Sequence, residues 1–128
     1  MIYIDSSVIL ARLLFEPRAP GLHFWEQKLA SSRLLEYEIW NRVHAYRLSD
    51  SNRKVADELL QGTELLEMDK AVLGRALEPW PTPIRTLDAL HLATAEYLRR
   101  SGEPVELASY DNRMIAAARA MGIGVAAL

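Results

Sequence analysis

The first eight residues constrain the fold most strongly. Met1-Ile2-Tyr3-Ile4 is an apolar run of the length of a short buried strand, Asp5 follows it directly, and Ser6-Ser7-Val8 opens a second apolar stretch. This order predicts a strand, an acid at its carboxyl end and then a helix. A buried lone carboxylate costs several kcal/mol or shifts its pKa until it is neutral. Because ligands of open α/β sheets bind at the carboxyl ends of the strands, Asp5 predicts a functional site and a partner for its charge.

Strand and helix patterns alternate along the whole chain. Strands are predicted over 1–4, 63–66, 105–108 and 123–126, with a very short one over 33–35. Helices are predicted over 6–15, 23–30, 36–48, 52–61, 69–77, 86–100 and 111–121. Strands separated by helices of this length predict an α/β fold, with a parallel sheet and helices on both faces. The chain has 128 residues and no linker, so we expect one domain over residues 1–128.

Composition and turn chemistry exclude several kinds of protein. There is no cysteine, which excludes disulfide frameworks, thiolate zinc sites and cysteine nucleophiles. The turn after the first strand has no glycine, which excludes a dinucleotide fingerprint and a P-loop. No apolar run approaches the roughly 20 residues that span a bilayer, and Asp5 interrupts any signal segment. We therefore expect a cytoplasmic protein without a membrane partner.

Four acids share one kind of position, because each lies where a predicted strand ends or near the start of a helix. They are Asp5, Glu38, Asp88 and Asp111. In a parallel sheet these places converge on one edge, so we expect the four side chains to meet. Each of the last three also has a purely structural explanation: Asp111 as an N-cap, Asp88 as a favourable charge in a helix first turn, and Glu38 as a solvated residue beside Glu36.

Carboxylates that lie a few Å apart cannot all ionise without compensation. No Lys or His occupies a comparable position, and His91, three residues after Asp88, is interpreted as a packed polar residue. A bound cation is the remaining compensation, and an all-oxygen site favours Mg²⁺ or Mn²⁺ over zinc. Such an ion lowers the pKa of an attacking water and stabilises charge on a phosphodiester. The acids therefore predict metal-assisted hydrolysis of a phosphate ester.

Four motifs run in order along nearly the whole chain. They are Ile4-Asp5-Ser6-Ser7-Val8, a Ser-x-Leu-x-x-x-Glu pattern from Ser32 to Glu38, Leu87-Asp88-Ala89-Leu90-His91-Leu92-Ala93-Thr94-Ala95, and Ala108-Ser109-Tyr110-Asp111-Asn112-Arg113-Met114. Together they resemble the PIN-domain family, and specifically its VapC-type toxin ribonucleases. The resemblance implies a three-layer α/β/α sandwich with a central parallel sheet, and an endoribonuclease that depends on Mg²⁺ or Mn²⁺.

The resemblance also implies roles for individual residues. It assigns both catalysis and metal binding to Asp5, Glu38, Asp88 and Asp111. Ser7 falls where a hydroxyl supports the first Asp, and Glu36 stays open as an alternative to Glu38.

The partners implied by the resemblance are an RNA substrate, a cognate antitoxin protein and a second copy of the chain in a homodimer. The net charge of −2 gives no general attraction to RNA. Binding would therefore depend on the metal and on local cations, for which Arg42, Arg85 and Arg113 are the candidates.

Two alternatives stay open. One is a catalytically silent protein-interaction domain whose acids only cap helices. The other is a PIN nuclease that acts in RNA processing and is not a toxin.

Overall fold

The structure, a computed structural model, describes residues Met1 to Leu128 and contains one parallel sheet of five strands. The strands are β1 (Ile2–Ile4), β2 (Leu29–Ser32), β3 (Thr63–Leu66), β4 (Glu106–Ala108) and β5 (Gly124–Val125). Their order in the sheet is β3-β2-β1-β4-β5, and every neighbouring pair is parallel. The chain therefore reverses its direction of travel across the sheet between β1 and β4. The carboxyl ends of these two strands form the crevice where ligands of open α/β sheets bind.

Six α-helices and one 3₁₀-helix surround the sheet. They are α1 (Ser6–Leu13), the 3₁₀-helix (Leu22–Glu26), α2 (Leu34–Ala45), α3 (Asp50–Gln61), α4 (Lys70–Ala76), α5 (Thr86–Arg100) and α6 (Asn112–Ala120). The first three α-helices pack on one face of the sheet, α5 and α6 on the other, and α4 packs against α5. The predicted three-layer α/β/α sandwich is confirmed. None of these helices combines the length and apolar character that crossing a membrane requires.

Alternation along β1 divides the core into two halves. Ile2 and Ile4 face the half that contains Ile39 of α2, whereas Tyr3 faces the half that contains Leu92 of α5. This is the two-residue period of a strand that is covered on both faces. All three residues of β1 are buried, and Tyr3 and Ile4 have no exposed surface. The strand that carries Asp5 is therefore the centre of the molecule.

The elements predicted between residues 23 and 35 are wrong. The sequence predicts a helix over 23–30 and a strand over 33–35, but β2 occupies Leu29–Ser32 and α2 begins at Leu34. β2 lies between two strands and is buried at every position, so it lacks the alternation of apolar and polar residues that marks a half-buried strand. Its serines are satisfied by tertiary contacts: the Ser31 hydroxyl donates to the Ile4 carbonyl at 2.6 Å.

Deleting core volume beside β1 should destabilise the fold strongly. Ile39→Ala removes a fully buried side chain and is expected to lower the free energy of unfolding by about 2–5 kcal/mol. Leu77→Ala is the matched control, because Leu77 is 89% exposed and its loss should change the free energy by less than about 0.5 kcal/mol. Urea denaturation measures both values, and similar losses in the two variants would contradict this packing.

Candidate active site

Asp5 lies at the carboxyl end of β1 and is only 5% exposed. Its Oδ1 accepts hydrogen bonds from the backbone N–H of Ser7 at 3.0 Å and from the Ser7 hydroxyl at 2.5 Å. Its Oδ2 accepts from the hydroxyl of Ser109 at 2.5 Å. Ile4 is in register with Ala108, which places Asp5 beside Ser109 at the ends of the two central strands. The sheet register therefore creates the hydrogen-bonding pocket of this carboxylate.

Burial raises the pKa of Asp5 above its ordinary value. The hydrogen bonds from Ser109 and Ser7 act in the opposite direction, but burial outweighs them. A carboxyl group in this position therefore binds a proton more readily than a carboxyl group in water.

Two serine hydroxyls tie the β1–α1 turn to the β4–α6 turn. The Ser7 hydroxyl donates to Asp5 and accepts from the Tyr110 backbone N–H at 2.9 Å. The Ser109 hydroxyl donates to Asp5 and accepts from the Asp111 backbone N–H at 2.9 Å. Each hydroxyl thus uses both its donor and an acceptor position, and together they fix Asp111 next to Asp5.

Asp88 and Asp111 form a second, less buried part of the site. Asp111 caps α6 by accepting from the Arg113 N–H at 2.9 Å, and Asp88 accepts from the Arg85 N–H at 3.3 Å in the first turn of α5. Burial raises the pKa of Asp88, and the negative charge of Asp111 adds to this rise. The Arg85 N–H and the positive charge of Arg113 oppose it. Burial is thus the main cause of the rise, and the charge of Asp111 is a smaller one.

The sequence predicts that no histidine lies where it could neutralise the acids. This prediction is wrong for Glu38, whose carboxylate contacts His91. The Glu38 Oε1 atom lies 2.5 Å from Nε2 of His91, and its Oε2 accepts from the Ser6 hydroxyl at 3.3 Å. Nδ1 of His91 lies 2.8 Å from the Tyr3 hydroxyl, which also accepts from the Ser32 backbone N–H at 3.1 Å. A neutral imidazole that accepts from Tyr3 and donates to Glu38 satisfies all of these contacts.

The chain Tyr3–His91–Glu38 is almost fully enclosed, since Tyr3 is 0% and His91 2% exposed. Burial raises the pKa of Tyr3 well above its usual range, so its hydroxyl stays protonated. Sequence reasoning missed Tyr3 and Ser109 and gave His91 no contact with an acid. Two signals were present: the period of β1 turns Tyr3 toward α5, and His91 shares a helix face with Asp88 at a spacing of three residues.

The four predicted acids lie around one edge of the sheet, but they do not form a ready-made ion cage. Hydrogen bonds link Asp5 to the turn that carries Asp111, and the charge of Asp111 affects Asp88. Glu38 is bonded to Ser6, the residue after Asp5, and to His91, but His91 makes no hydrogen bond to the other three acids. No three acidic, histidine or cysteine side chains stand close enough to hold one metal ion. Asp5, Asp88 and Asp111 each also accept a hydrogen bond at a helix start.

Glu36 does not join these acids, because its carboxylate pairs with Arg33 at 3.0 Å on the surface. Arg113 stands beside Asp111, with its Nε atom 3.9 Å from the carboxylate. Arg42 lines a cleft next to Glu38. Arg85 lines an apolar groove between α4 and α5, and its backbone N–H donates to Asp88. RNA binding by the three arginines stays a prediction.

The stability of the wild type relative to Asp5→Asn should depend on pH. Because folding raises the pKa of Asp5, the folded state binds the proton more tightly than the unfolded state. The stability of the wild type is therefore greatest below the unfolded pKa and falls as the pH rises through the folded pKa. Asparagine does not titrate, so the variant should lack this fall, whatever its loss of an acceptor for the Ser109 hydroxyl costs at every pH.

Urea denaturation of Asp5→Asn across the pH range tests this expectation. Asp57→Asn, at an exposed position on α3, is the control and should keep the pH dependence of the wild type. A stability of the wild type that rises relative to Asp5→Asn as the pH increases would contradict the sign of the pKa shift.

Tyr3→Phe should destabilise the protein by about 1–3 kcal/mol, because it leaves the buried Ser32 N–H and His91 Nδ1 without a partner. Tyr97→Phe removes a hydroxyl from a side chain that is 43% exposed and should have little effect. The free energies of unfolding of the two variants are compared, and equal values would show that the buried hydroxyl contributes nothing.

Comparison with known proteins agrees with this architecture. The family model of the PIN domain matches residues 2–120. Ribonuclease VapC46 of Mycobacterium tuberculosis (strain ATCC 25618 / H37Rv) is 36% identical over 129 residues, which cover 98% of this chain and 96% of that protein. Ribonuclease VapC47 of Mycobacterium tuberculosis (strain CDC 1551 / Oshkosh) is 31% identical over 129 residues, covering 95% and 93%.

A solved structure supports the fold independently. A chain of a toxin–antitoxin complex from Klebsiella pneumoniae superposes with a TM-score of 0.64 over 91% of both chains, at 16% identity. With a family match over residues 2–120 and relatives that are similar over nearly their full length, this chain belongs to the PIN-domain family and is related to its VapC ribonucleases.

Proposed function

We propose that this protein is an endoribonuclease that depends on Mg²⁺ or Mn²⁺ and acts as the toxin of a toxin–antitoxin pair. The observation that carries the proposal is the buried Asp5, held by two serine hydroxyls at the point where the strand order reverses. The Ser109 hydroxyl also accepts from the Asp111 N–H, and the negative charge of Asp111 contributes to the raised pKa of Asp88. The names of the relatives, all ribonucleases, support RNA as the substrate.

The chemistry of the acids fits a hard divalent cation. The donors are carboxylate oxygens with hydroxyls nearby, the ligand type that Mg²⁺ and Mn²⁺ prefer. Oδ1 of Asp88 and Oδ2 of Asp111 make no hydrogen bond, so both atoms are available as ligands, and a bound cation would offset the negative charge that adds to the effect of burial on the pKa of Asp88. No three acids share a common point, so the proposed ion would be held by one or two carboxylates and would keep water in the rest of its shell, as Mg²⁺ commonly does.

A divalent cation bound here would stabilise charge on the phosphodiester and lower the pKa of an attacking water. The protein's own hydrogen bonds hold the acidic side chains in position. Ser7 and Ser109 hold Asp5 in a single position, and His91 holds one oxygen of Glu38. Arg113, at the edge of the acids, offers a positive charge to an RNA phosphate. No side chain is needed as a covalent nucleophile.

The antitoxin partner is part of the same proposal. The structural neighbour from Klebsiella pneumoniae is described as a toxin–antitoxin complex, and this supports a cognate antitoxin here. The homodimer and the cytoplasmic location implied by the sequence stay predictions. Growth arrest on expression, with rescue by a co-encoded small protein, would support the toxin role over a role in RNA processing.

A catalytically silent interaction domain is the second candidate function. It is favoured by one observation, which is that Asp5, Asp88 and Asp111 all accept hydrogen bonds at helix starts. Acids that serve only as caps bind no divalent cation, so calorimetry with Mn²⁺ separates the two functions.

Asp5→Asn and Asp111→Asn should each lower the rate of RNA cleavage in Mg²⁺ buffer by about 10²–10³-fold, because each removes a charge that the reaction uses. Both should also weaken Mn²⁺ binding measured by calorimetry. Chelation with EDTA should stop cleavage by the wild type.

Glu36→Gln is the matched control, since Glu36 lies two residues from Glu38 but pairs with Arg33 on the surface. It should keep the cleavage rate and the Mn²⁺ affinity of the wild type. Cleavage by Asp5→Asn at the wild-type rate would refute the proposed mechanism.

A further inference from the structure

A small cleft lies directly beside the acids. Its volume is about 180 Å³, and its walls include Ser6 of α1, Tyr37, Glu38, Asn41 and Arg42 of α2, and Leu87 of α5. Ser6 and Glu38 belong to both the cleft and the acidic site, because the Ser6 hydroxyl donates to the Glu38 carboxylate. Whatever binds in this cleft therefore adjoins the reacting phosphate of the proposed nuclease.

Two large side chains stand exposed at the cleft. Tyr37 is 70% exposed and Leu87 is 45% exposed. A single exposed apolar residue needs no explanation. Here, however, an aromatic ring from α2 and an aliphatic chain from the start of α5 line one cleft and offer apolar surface to a flat ligand.

Polar groups of the cleft can form hydrogen bonds with the edge of such a ligand. Asn41 is exposed, and its amide carries both a donor and an acceptor. The Arg42 guanidinium donates one bond to the Tyr46 hydroxyl at 3.2 Å and keeps its other N–H groups. The cleft thus combines a flat aromatic surface, an amide and a cation.

The size of the cleft limits its ligand. Pockets for drug-sized molecules measure roughly 300–1,000 Å³, so about 180 Å³ takes one ring system. A peptide helix needs a longer groove. A nucleobase is a flat ring with hydrogen-bonding groups on its edge, and the acids of the proposed nuclease lie next to the cleft.

We infer that this cleft is a nucleobase subsite: the base next to the scissile phosphate stacks on Tyr37 and presents its edge to Asn41, while Arg42 contacts the adjoining phosphate. This inference rests on the proposed function. Single-stranded RNA is recognised by stacking on aromatic side chains and by hydrogen bonds to base edges. Stacking also explains how a chain with a net charge of −2 holds RNA, because it does not depend on a positive surface.

Tyr37→Leu tests the subsite, with Tyr37→Phe as the conservative variant. Removing the ring should raise KM for a short single-stranded RNA by about tenfold and leave kcat nearly unchanged. The variant should also cut with a weaker preference for one base next to the cleaved bond. Sequencing the ends produced from a random-sequence RNA pool measures this preference. Tyr37→Phe should restore both values. Tyr97→Leu, an exposed tyrosine on α5 that does not line the cleft, should behave as the wild type.

A binding measurement keeps this inference separate from the nuclease proposal. RNA that carries 2-aminopurine loses fluorescence when the base stacks on an aromatic ring. Quenching by the wild type and Tyr37→Phe, and its loss in Tyr37→Leu, would support the subsite even if no RNA were cleaved. Unchanged quenching in Tyr37→Leu, or no quenching by any variant, would overturn it. Wild-type KM and cut pattern in Tyr37→Leu, together with lost antitoxin binding, would also overturn it and identify the cleft as a protein interface.

Discussion

The structure depends on the burial of one carboxylate at the place where the strand order reverses. The parallel register of β1 and β4 sets Asp5 beside Ser109, and helix α1 adds Ser7 from the other side. Without these three hydrogen bonds a buried charge would cost several kcal/mol. With them the carboxylate is fixed in position, but its pKa remains raised by burial. Burial thus leaves this carboxylate with a cost of ionisation that its hydrogen bonds do not fully offset.

The edge of the sheet combines two groups of acids. Glu38 is held through His91 and Tyr3, which are buried on the far side of α5 from solvent. Asp88 and Asp111 instead border solvent, and each keeps one carboxylate oxygen without a hydrogen bond. In the proposed function, the free oxygens of the second group would serve as ligands for the cation, while the hydrogen bonds of the first group hold Glu38 in place.

The sequence predicts the acid positions better than it predicts their partners. Asp5 follows from local information alone, since an apolar run, an acid and a helix start are adjacent. The Asp5–Ser109 and Tyr3–His91 contacts join residues 104 and 88 positions apart, so no local pattern contains them. The sequence did not predict strand β2, for a related reason. Its small buried residues owe their extended conformation to the strands on either side, and their own preferences do not predict a strand.

Diffraction from crystals soaked in Mn²⁺, with data collected for anomalous scattering, shows whether a divalent cation binds among these acids. We expect a strong anomalous peak at the carboxyl edge of β1 and β4, within ligand distance of a carboxylate oxygen of Asp5, Asp88 or Asp111. Crystals that show no peak there at saturating Mn²⁺ would contradict a metal-dependent site.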